Sequence, residues 1–280
     1  MWKKRNINRL SYHVFMLVFS LLMLYPVLWM IFSSFKPNPD IFRTAHALIP
    51  LKWTIENYFS GWRGFGGTAF DVFFLNSLYY SVVGTIGTVV SSLMVAYGFA
   101  RIKFKGRNIW FACMMITMML PMQVVMIPQF IIFHKINWVN TFKPLIVPAF
   151  GAQAFFVFLI MQFIRGIPAD LDEAAKIDGC SKYGIFFRIM VPLVKPAVIT
   201  TTIFSFYWKW EEFFGPLLYL NKPKLYTVSL ALKAFNDATT STNWGGLLAM
   251  SSLSLMPILL VFFIFQKHLI EGIATTGIKA

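Results

Sequence analysis

Residues 73–100 read FFLNSLYYSVVGTIGTVVSSLMVAYGFA, a run that contains no Asp, Glu, Lys or Arg. A helix needs about 20 mostly apolar residues to cross the roughly 30 Å hydrocarbon core of a membrane, and this run is long enough. The residues that follow it, Arg101, Lys103, Lys105 and Arg107, are all basic. The stretch therefore predicts a membrane-spanning helix with a basic flank.

Five further apolar runs of comparable length occur along the chain. With the first run they predict about six transmembrane helices, at about 14–33, 73–100, 109–133, 139–164, 198–220 and 247–266. Composition agrees, because 58% of the residues are hydrophobic and 13% are charged, whereas a soluble domain carries about 25% charged residues. The fold class predicted is an all-α integral membrane protein. The third and fourth spans contain prolines, which indicate kinks covered by neighbouring helices or a wet cavity.

The distribution of Lys and Arg predicts the orientation. Basic residues concentrate in the leader 3–9, in the loop 101–107 and in the loop 165–197. With six spans these segments lie on one side together with the C-terminus, and the excess of basic residues marks that side as cytoplasmic. The basic residues behind the net charge of +14 are thus interpreted as those that set the orientation of the chain in the membrane. Nucleic acid is not predicted as a partner, because the basic residues lie between apolar runs.

Small residues recur every four positions along the second span. They are Gly84, Thr88, Ser92, Ala96 and Ala100. Residues four apart share one face of a helix, and small side chains let a second helix approach closely in lipid. This small-residue stripe predicts a packing face, within this chain or against another one.

The inner loop contains the most informative stretch, IPADLDEAAKIDGCSKYGIFFRIMVPLVKPA at 167–197. Pro168 suits a helix start, acidic residues occupy the first turn of the helix, and Gly179 suits the position just past the end. Leu171, Ala174 and Ala175 lie on one side of this short helix, and the small alanines leave a face that another protein can approach. From spacing alone, a partner-docking helix and an ordinary loop helix on the membrane surface are both open.

The loop resembles the EAA signature of importer-type ABC permeases. It matches the spacing of the signature, with Val191 in place of a Leu. The resemblance implies a short cytoplasmic coupling helix between spans four and five, and coupling to an ATPase through Glu173, Ala174, Ala175, Asp178, Gly179, Ile189 and Pro192. Other matches are similar to the maltose-permease-type carbohydrate branch, among them Asn76-Ser77, Gln123 and Glu212-Phe213-Phe214. They cover roughly 73–279, although Glu211 stands where that branch usually has Asn.

This resemblance implies a multi-pass subunit of a bacterial cytoplasmic membrane, with both termini cytoplasmic. The expected partners are a second homologous permease, two cytoplasmic ABC ATPase subunits, an extracytoplasmic sugar-binding protein and membrane lipid. The predicted division of the chain is 1–72, with the leader, the first span and an outer loop, and 73–280, the importer core that includes the loop 165–197.

The chain is predicted to be non-catalytic. No Gly is followed directly by Lys, so the phosphate-binding loop of P-loop ATPases is absent and ATP is expected in a partner subunit. No cofactor is predicted for this chain. The four histidines are far apart in sequence, and no metal site is predicted either.

Three charges interrupt the fifth span, at Lys209, Glu211 and Glu212, beside Trp210. Each would cost roughly 2.5–3.5 kcal/mol at the centre of a lipid-facing helix. Lys209 and Glu212 are three residues apart and can pair. One interpretation is that these residues line the sugar path, and the other is a structural pair or anchor within the bundle.

Two rival functions remain at this point. An ion-coupled secondary transporter would use Lys209, Glu211 and Glu212 as its relay. A membrane-embedded enzyme or assembly scaffold is the third hypothesis, and the sequence offers it no converging catalytic groups.

Overall fold

The structure is a computed structural model that describes residues 2–237 and 243–277, with side chains described for 12–235 and 243–267. Within these ranges the chain folds into helices and connecting turns, and β-structure is limited to an isolated bridge between Phe65 and Thr68. The predicted all-α class is confirmed.

The helices vary widely in length. In chain order they are α1 (Trp2–Ser33), α2 (Asp40–Arg43), α3 (Glu56–Trp62), α4 (Phe70–Arg101), α5 (Arg107–Met119), α6 (Met122–Lys135), α7 (Lys143–Ile146), α8 (Ala154–Arg165), α9 (Asp170–Ile177), α10 (Lys182–Gly184), α11 (Val191–Leu193), α12 (Lys195–Glu211), α13 (Phe214–Tyr219), α14 (Val228–Asp237), α15 (Trp244–Ser254) and α16 (Met256–Gly277). Short 3₁₀ segments occur at Val147–Gly151 and Pro223–Leu225, and Ile185–Met190 forms a π-helix.

Four helical segments among the described residues are long and apolar enough to cross a membrane: Tyr12–Ser33, Phe70–Arg101, Lys143–Arg165 and Trp244–Lys267. Two bent helix pairs bring the number to six if each pair counts as one span. The prediction of about six spans is confirmed in this form.

The third span is not one straight helix. The structure bends it by 100° between α5 and α6. Pro121 has no backbone N–H and disfavours helical geometry in the residue before it. Leu120 accordingly takes extended angles, with φ −77° and ψ 122°.

The fifth span also differs from its predicted bounds. It begins at Lys195, after a 74° bend from the preceding segment, and its helix ends at Glu211. Glu212 is extended, with φ −60° and ψ 126°, before α13 begins at Phe214. A continuous helix would press the ring of Pro216 against the carbonyl of Glu212, four residues earlier. The break frees that carbonyl, which accepts a 2.6 Å hydrogen bond from Ser229 Oγ.

The residues form two compact units. One comprises Met1–Asp71 and Leu232–Met256, and the other comprises Val72–Ala231 and Pro257–Ala280. The predicted division into 1–72 and the importer core 73–280 assigns functions to the two segments, whereas the compact units reflect contacts alone. That division stays a prediction.

In the first unit, the segment between α1 and α4 is held by buried polar side chains. Asn57 Nδ2 donates hydrogen bonds to the carbonyl oxygens of Ser34 and Lys36, each at 2.7 Å. Lys36 Nζ donates to the carbonyl oxygens of Thr44 (2.9 Å) and Ala47 (2.6 Å). Burial lowers the pKa of Lys36 from its ordinary value. Buried polar groups that find partners in this way fix one conformation of a segment that has only the short helices α2 and α3.

In the second unit, the small-residue stripe of α4 is a packing face within the chain. Ala96 is fully buried in a core that α8 shares. Ser91 Oγ and Ser92 Oγ accept hydrogen bonds from the backbone N–H groups of Ala152 (3.0 Å) and Gln153 (3.1 Å) at the start of α8. Ala152 has a φ of +63°, a conformation that a residue with a Cβ rarely adopts unless its surroundings hold it. The two serines supply that restraint.

Candidate functional site

The loop helix α9 has the boundaries that the sequence predicts at its C-terminal end. Gly179 has a φ of +79°, and the N–H of Cys180 donates to the carbonyl of Ala175 at 2.9 Å. The N–H of Gly179 donates to the carbonyl of Lys176 at 3.0 Å. This pair of hydrogen bonds ends a helix with a left-handed residue, which glycine adopts without strain.

The exposed face of α9 differs from the predicted one. Leu171, Glu173 and Ala174 are exposed as expected, but Ala175 is buried together with Asp172. The predicted face of two adjacent alanines open to another protein is therefore confined to Ala174, and the assignment of Ala175 to ATPase coupling stays a prediction. Residues three apart share a helix face, so Ala175 lies beside Asp172 on the side that packs onto the chain itself.

Large apolar side chains are exposed on α9 and on the segment that follows it. The exposed fractions are 44% for Leu171, 86% for Ile177, 79% for Tyr183 and 63% for Phe187. We call these four residues the loop patch. Leu171 and Ile177 lie on the loop helix between membrane spans, and Tyr183 and Phe187 lie in the segment before the 74° bend. Large exposed apolar side chains of this kind mark an interaction surface.

The remaining residues of the EAA-like stretch lie close to the loop patch in the chain. Asp178 is the exposed residue that ends α9, Ile189 is half-buried in the π-helix, and Pro192 is exposed in α11. Single π-helical turns occur often at functional sites. The assignment of these residues to ATPase coupling stays a prediction.

A cavity of about 660 Å³ lies beside the break between α12 and α13. Lys209, Glu211 and Glu212 line it. Trp210 is not among the residues that line it, and its ring is buried between those of Phe206 and Phe74, with centroids 5.9 and 6.0 Å away. The structure thus brings three of the four span-five residues to one cavity and turns the fourth into the core.

Glu212 connects the break to three other elements. Its carboxylate accepts hydrogen bonds from the Tyr80 hydroxyl of α4 and from the backbone N–H of Gly215 in α13. Its carbonyl accepts the bond from Ser229 of α14. A carboxylate at the start of a helix accepts hydrogen bonds from the free N–H groups there, and the positive end of the helix dipole stabilises its negative charge. Glu212 therefore fixes the geometry of the cavity wall.

Lys209 does not pair directly with Glu212. The two interact electrostatically, but no salt bridge joins their charged atoms in the part of the chain that the structure describes. Instead, the stem of Lys209 packs over Gly84 of α4, where an added Cβ would lie 2.8 Å from Lys209 Cδ and 2.7 Å from Cε. The predicted ion pair is corrected, because the stem of Lys209 lies on Gly84 whereas the carboxylate of Glu212 faces Tyr80 and Gly215.

No three His, Cys, Asp or Glu side chains among those described group closely enough to hold a metal ion. The expectation of a chain without metal or cofactor stays a prediction.

The geometry of the loop and the broken spans can be compared with known proteins. Residues 87–275 match the family described as "Binding-protein-dependent transport system inner membrane component". This chain belongs to that family. The predicted importer permease is confirmed, and no comparison supports the ion-coupled alternative. As a member of the family, the permease is a membrane component of a transport system that works with a binding protein.

Relatives support the assignment over nearly the whole length of the permease. The probable ABC transporter permease protein YurM of Bacillus subtilis is 34% identical and matches over 99% of this chain and 91% of its own. The arabinooligosaccharides transport system permease protein AraQ of Bacillus subtilis is 32% identical, over 98% and 97%. The fold matches a chain of a bacterial ABC transporter that imports alginate, with a TM-score of 0.83, 20% identity and coverage of 94% and 97%.

Two residues that position the site are not predicted as site residues from the sequence. Tyr80 reaches Glu212, and Arg101 lies 3.1 Å from Asp172 in the loop helix. Tyr80 lies four residues before Gly84, so it extends the small-residue stripe on the same face. Arg101 ends α4, and its position at the end of the stripe is the signal that could have distinguished it from the other orientation charges.

Gly84→Ala is expected to gain less stability than a Gly→Ala change in open space, because the added methyl group must displace the flexible end of the Lys209 side chain. Gly98→Ala in the same helix is the matched control, since nothing lies within 4 Å of a Cβ added there. Alanine favours a helix over glycine by up to about 1 kcal/mol, so this control should leave stability unchanged or raise it. Thermal unfolding in detergent measures both, and equal shifts would contradict the packing of Lys209 on Gly84.

Proposed function

We propose that this permease pairs with a second homologous permease to form the path for a sugar or oligosaccharide in a bacterial ATP-driven importer. Two separate cytoplasmic ATPase subunits drive the transport, and an extracytoplasmic binding protein delivers the sugar. The chain itself is non-catalytic and holds no cofactor, and ATP binds to the partner subunits. Both termini and the loop 165–197 lie in the cytoplasm.

The loop patch is the observation that carries the proposal of an ATPase partner. Its four apolar side chains are exposed, and Glu173 is exposed on the same helix as Leu171 and Ile177. Burying each large apolar side chain contributes about 1.5–3 kcal/mol. A short helix that carries such residues is suited to a hydrophobic groove on a partner protein.

The cavity at the α12–α13 break supports a saccharide as the substrate. Its lining includes the amides of Gln129 and Gln153, the carboxylate of Glu211 and the exposed ring of Trp208. Amides and carboxylates bind hydroxyl groups, and an aromatic ring offers an apolar face beside them. The similarity to a permease named for arabinooligosaccharide transport supports the same substrate class.

The proposed cycle follows from these two features. ATP-driven closure of the ATPase subunits moves α9, and the movement switches the cavity between the two permeases from inward- to outward-facing. The sugar then passes from the binding protein into the cavity, and it leaves towards the cytoplasm after hydrolysis. Alternating access of this kind needs rigid elements that move as bodies.

Purification of the permease from native membranes in mild detergent tests the proposal. Mass spectrometry of the purified material is expected to identify a second permease and an ATPase in stoichiometric amounts. Addition of the binding protein with arabino-oligosaccharides is expected to stimulate ATP hydrolysis, and addition without sugar serves as the control. Uptake by the purified chain alone, driven by an ion gradient and independent of ATP, would overturn the proposal.

A further inference from the structure

Arg101 contacts two other elements with one side chain. It is the last residue of α4, and its Nη2 donates hydrogen bonds to the carbonyl oxygens of Ile164 and Ile167, at 3.1 and 2.6 Å. Its Nε lies 3.1 Å from Asp172 Oδ2 in α9. Ile164 belongs to the last turn of α8, and Ile167 belongs to the turn that leads into α9. The guanidinium group therefore joins the ends of α4 and α8 to the loop helix.

This ion pair is buried, and burial changes what it contributes. Both side chains are almost inaccessible to solvent, and Asp172 Oδ1 is buried without a hydrogen-bond partner among the described residues. Replacing a buried ion pair with apolar residues often leaves stability unchanged or raises it. The pair is thus a poor source of stability. Arg101 Nε makes no hydrogen bond among the described residues, so its contact with Asp172 is a pairing of charges. The fixed geometry comes from the two hydrogen bonds that Nη2 donates to Ile164 and Ile167, because a planar guanidinium donates in set directions.

A second contact holds the same end of α4 to the loop. Tyr97, one turn before Arg101, packs on Phe186 of the π-helix with ring centroids 5.0 Å apart. Phe186 and Met190 share a buried core with Leu93 and Ala96 of α4. The last two turns of α4 therefore contact the loop on both sides of the break at Gly179.

Helix α4 connects this contact to the cavity. It runs without a break from Phe70 to Arg101. Tyr80 and Thr88, which lie further towards its N-terminal end, line the cavity. At 1.5 Å per residue, Gly84 lies roughly 25 Å along the helix from Arg101. The covalent route from α9 instead passes through a π-helix and a 74° bend before it reaches α12. An unbroken helix transmits a displacement over this distance better than a route with two irregular segments.

We propose that Arg101 is the positioning residue that makes α9, the end of α8 and the whole of α4 move as one body. Force applied to the exposed face of α9 reaches the cavity through the Asp172–Arg101 contact and the α4 helix. This inference rests on the proposed function, because it presupposes an ATPase that moves α9. It predicts that the contact is needed for coupling and not for docking, since Asp172 is buried against Arg101 whereas the side chains of the loop patch are exposed.

The test compares Asp172→Asn, Asp172→Glu and Arg101→Gln in the complete importer, reconstituted in proteoliposomes with its binding protein. The readout is sugar taken up per ATP hydrolysed, measured together with the amount of ATPase subunit that co-purifies. Asp172→Asn and Arg101→Gln are expected to keep the ATPase subunits and to lower uptake per ATP by about tenfold or more, the range of a typical coupling between sites. Asp172→Glu restores the charge and is expected to recover most of the ratio.

The outcomes separate the two proposals. A wild-type ratio in Asp172→Asn overturns the positioning role and leaves the proposed function intact. Loss of thermal stability with an unchanged ratio likewise overturns it, since this outcome indicates a purely structural contact. Wild-type protein that hydrolyses no ATP during uptake overturns the proposed function and the positioning role with it. If Arg101→Gln does not assemble, Asp172→Asn decides, because it leaves both carbonyl contacts of Arg101 in place.

Discussion

An Ile177→Glu variant of the permease is expected to lose its ATPase subunits during purification. Ile177 has the largest exposed fraction in the loop patch, 86%, and it lies on the same helix as Glu173. Docking would bury this side chain, and the variant forfeits about 2 kcal/mol of apolar burial. It also places a carboxylate in a surface without water, which costs a further few kcal/mol. A total of about 3 kcal/mol or more weakens binding at least about a hundredfold.

Ile49→Glu is the matched control for this experiment. Ile49 is also a largely exposed isoleucine, at 63%, and it lies in the segment between α1 and α4, away from the loop 165–197 in the chain. The same substitution there should leave the co-purifying ATPase unchanged. Quantitative mass spectrometry of the two purified variants measures the difference. An Ile177→Glu complex with its full complement of ATPase would show that the loop patch is not the docking surface.

A Glu212→Ala variant is expected to lose stability by about 3–5 kcal/mol, because two buried groups lose their acceptor and each unsatisfied group costs about 1–3 kcal/mol. The Tyr80 hydroxyl and the Gly215 N–H would both lose their acceptor, and Lys209 would lose its nearby negative charge. A change of 1 kcal/mol shifts the melting temperature by roughly 2–4 °C in a chain of this size class. We therefore expect the melting temperature to fall by roughly 6–20 °C, and we expect uptake to fall because the cavity wall loses its fixed geometry.

The neighbouring Glu211→Ala variant is the control, because it removes the same side chain one position earlier. Glu211 ends α12 and lines the same cavity, but it is exposed and its carboxylate is hydrogen-bonded to Tyr207 of its own helix. A surface substitution of this kind usually changes stability by no more than about 0.5 kcal/mol. Thermal unfolding followed by tryptophan fluorescence compares the two variants in the same detergent. Equal melting temperatures would contradict the role of Glu212 as the connection between α4, α13 and α14.

These variants and the Asp172→Asn variant are expected to fail in different ways. Ile177→Glu removes the partner, Glu212→Ala disorders the cavity wall, and Asp172→Asn leaves both in place but separates their movements. Measuring attached ATPase, melting temperature and uptake per ATP for all three therefore assigns each contact to docking, to architecture or to coupling. If all three variants lost activity for one common reason, attached ATPase, melting temperature and uptake per ATP would fall together in each of them.

The sequence by itself determines the features that depend on neighbours along the chain. Apolar runs long enough to cross a membrane, the basic flanks and the end of α9 at Gly179 follow from residues within a few positions of each other. The same holds for the EAA-like spacing that leads to the family. Hydropathy, the period of a helix and the left-handed preference of glycine act locally, so a linear reading is enough to find them.

Only the tertiary structure decides which side chains meet across the bundle. Tyr80 with Glu212, Gly84 with Lys209 and Arg101 with Asp172 are contacts between residues far apart in the chain, and no local rule selects them. The same is true of the buried face of α9, where Ala175 lies beside Asp172, the partner of Arg101 of α4. A side chain acquires such a partner only through the packing of whole helices, which sums many weak contacts that a single segment does not contain.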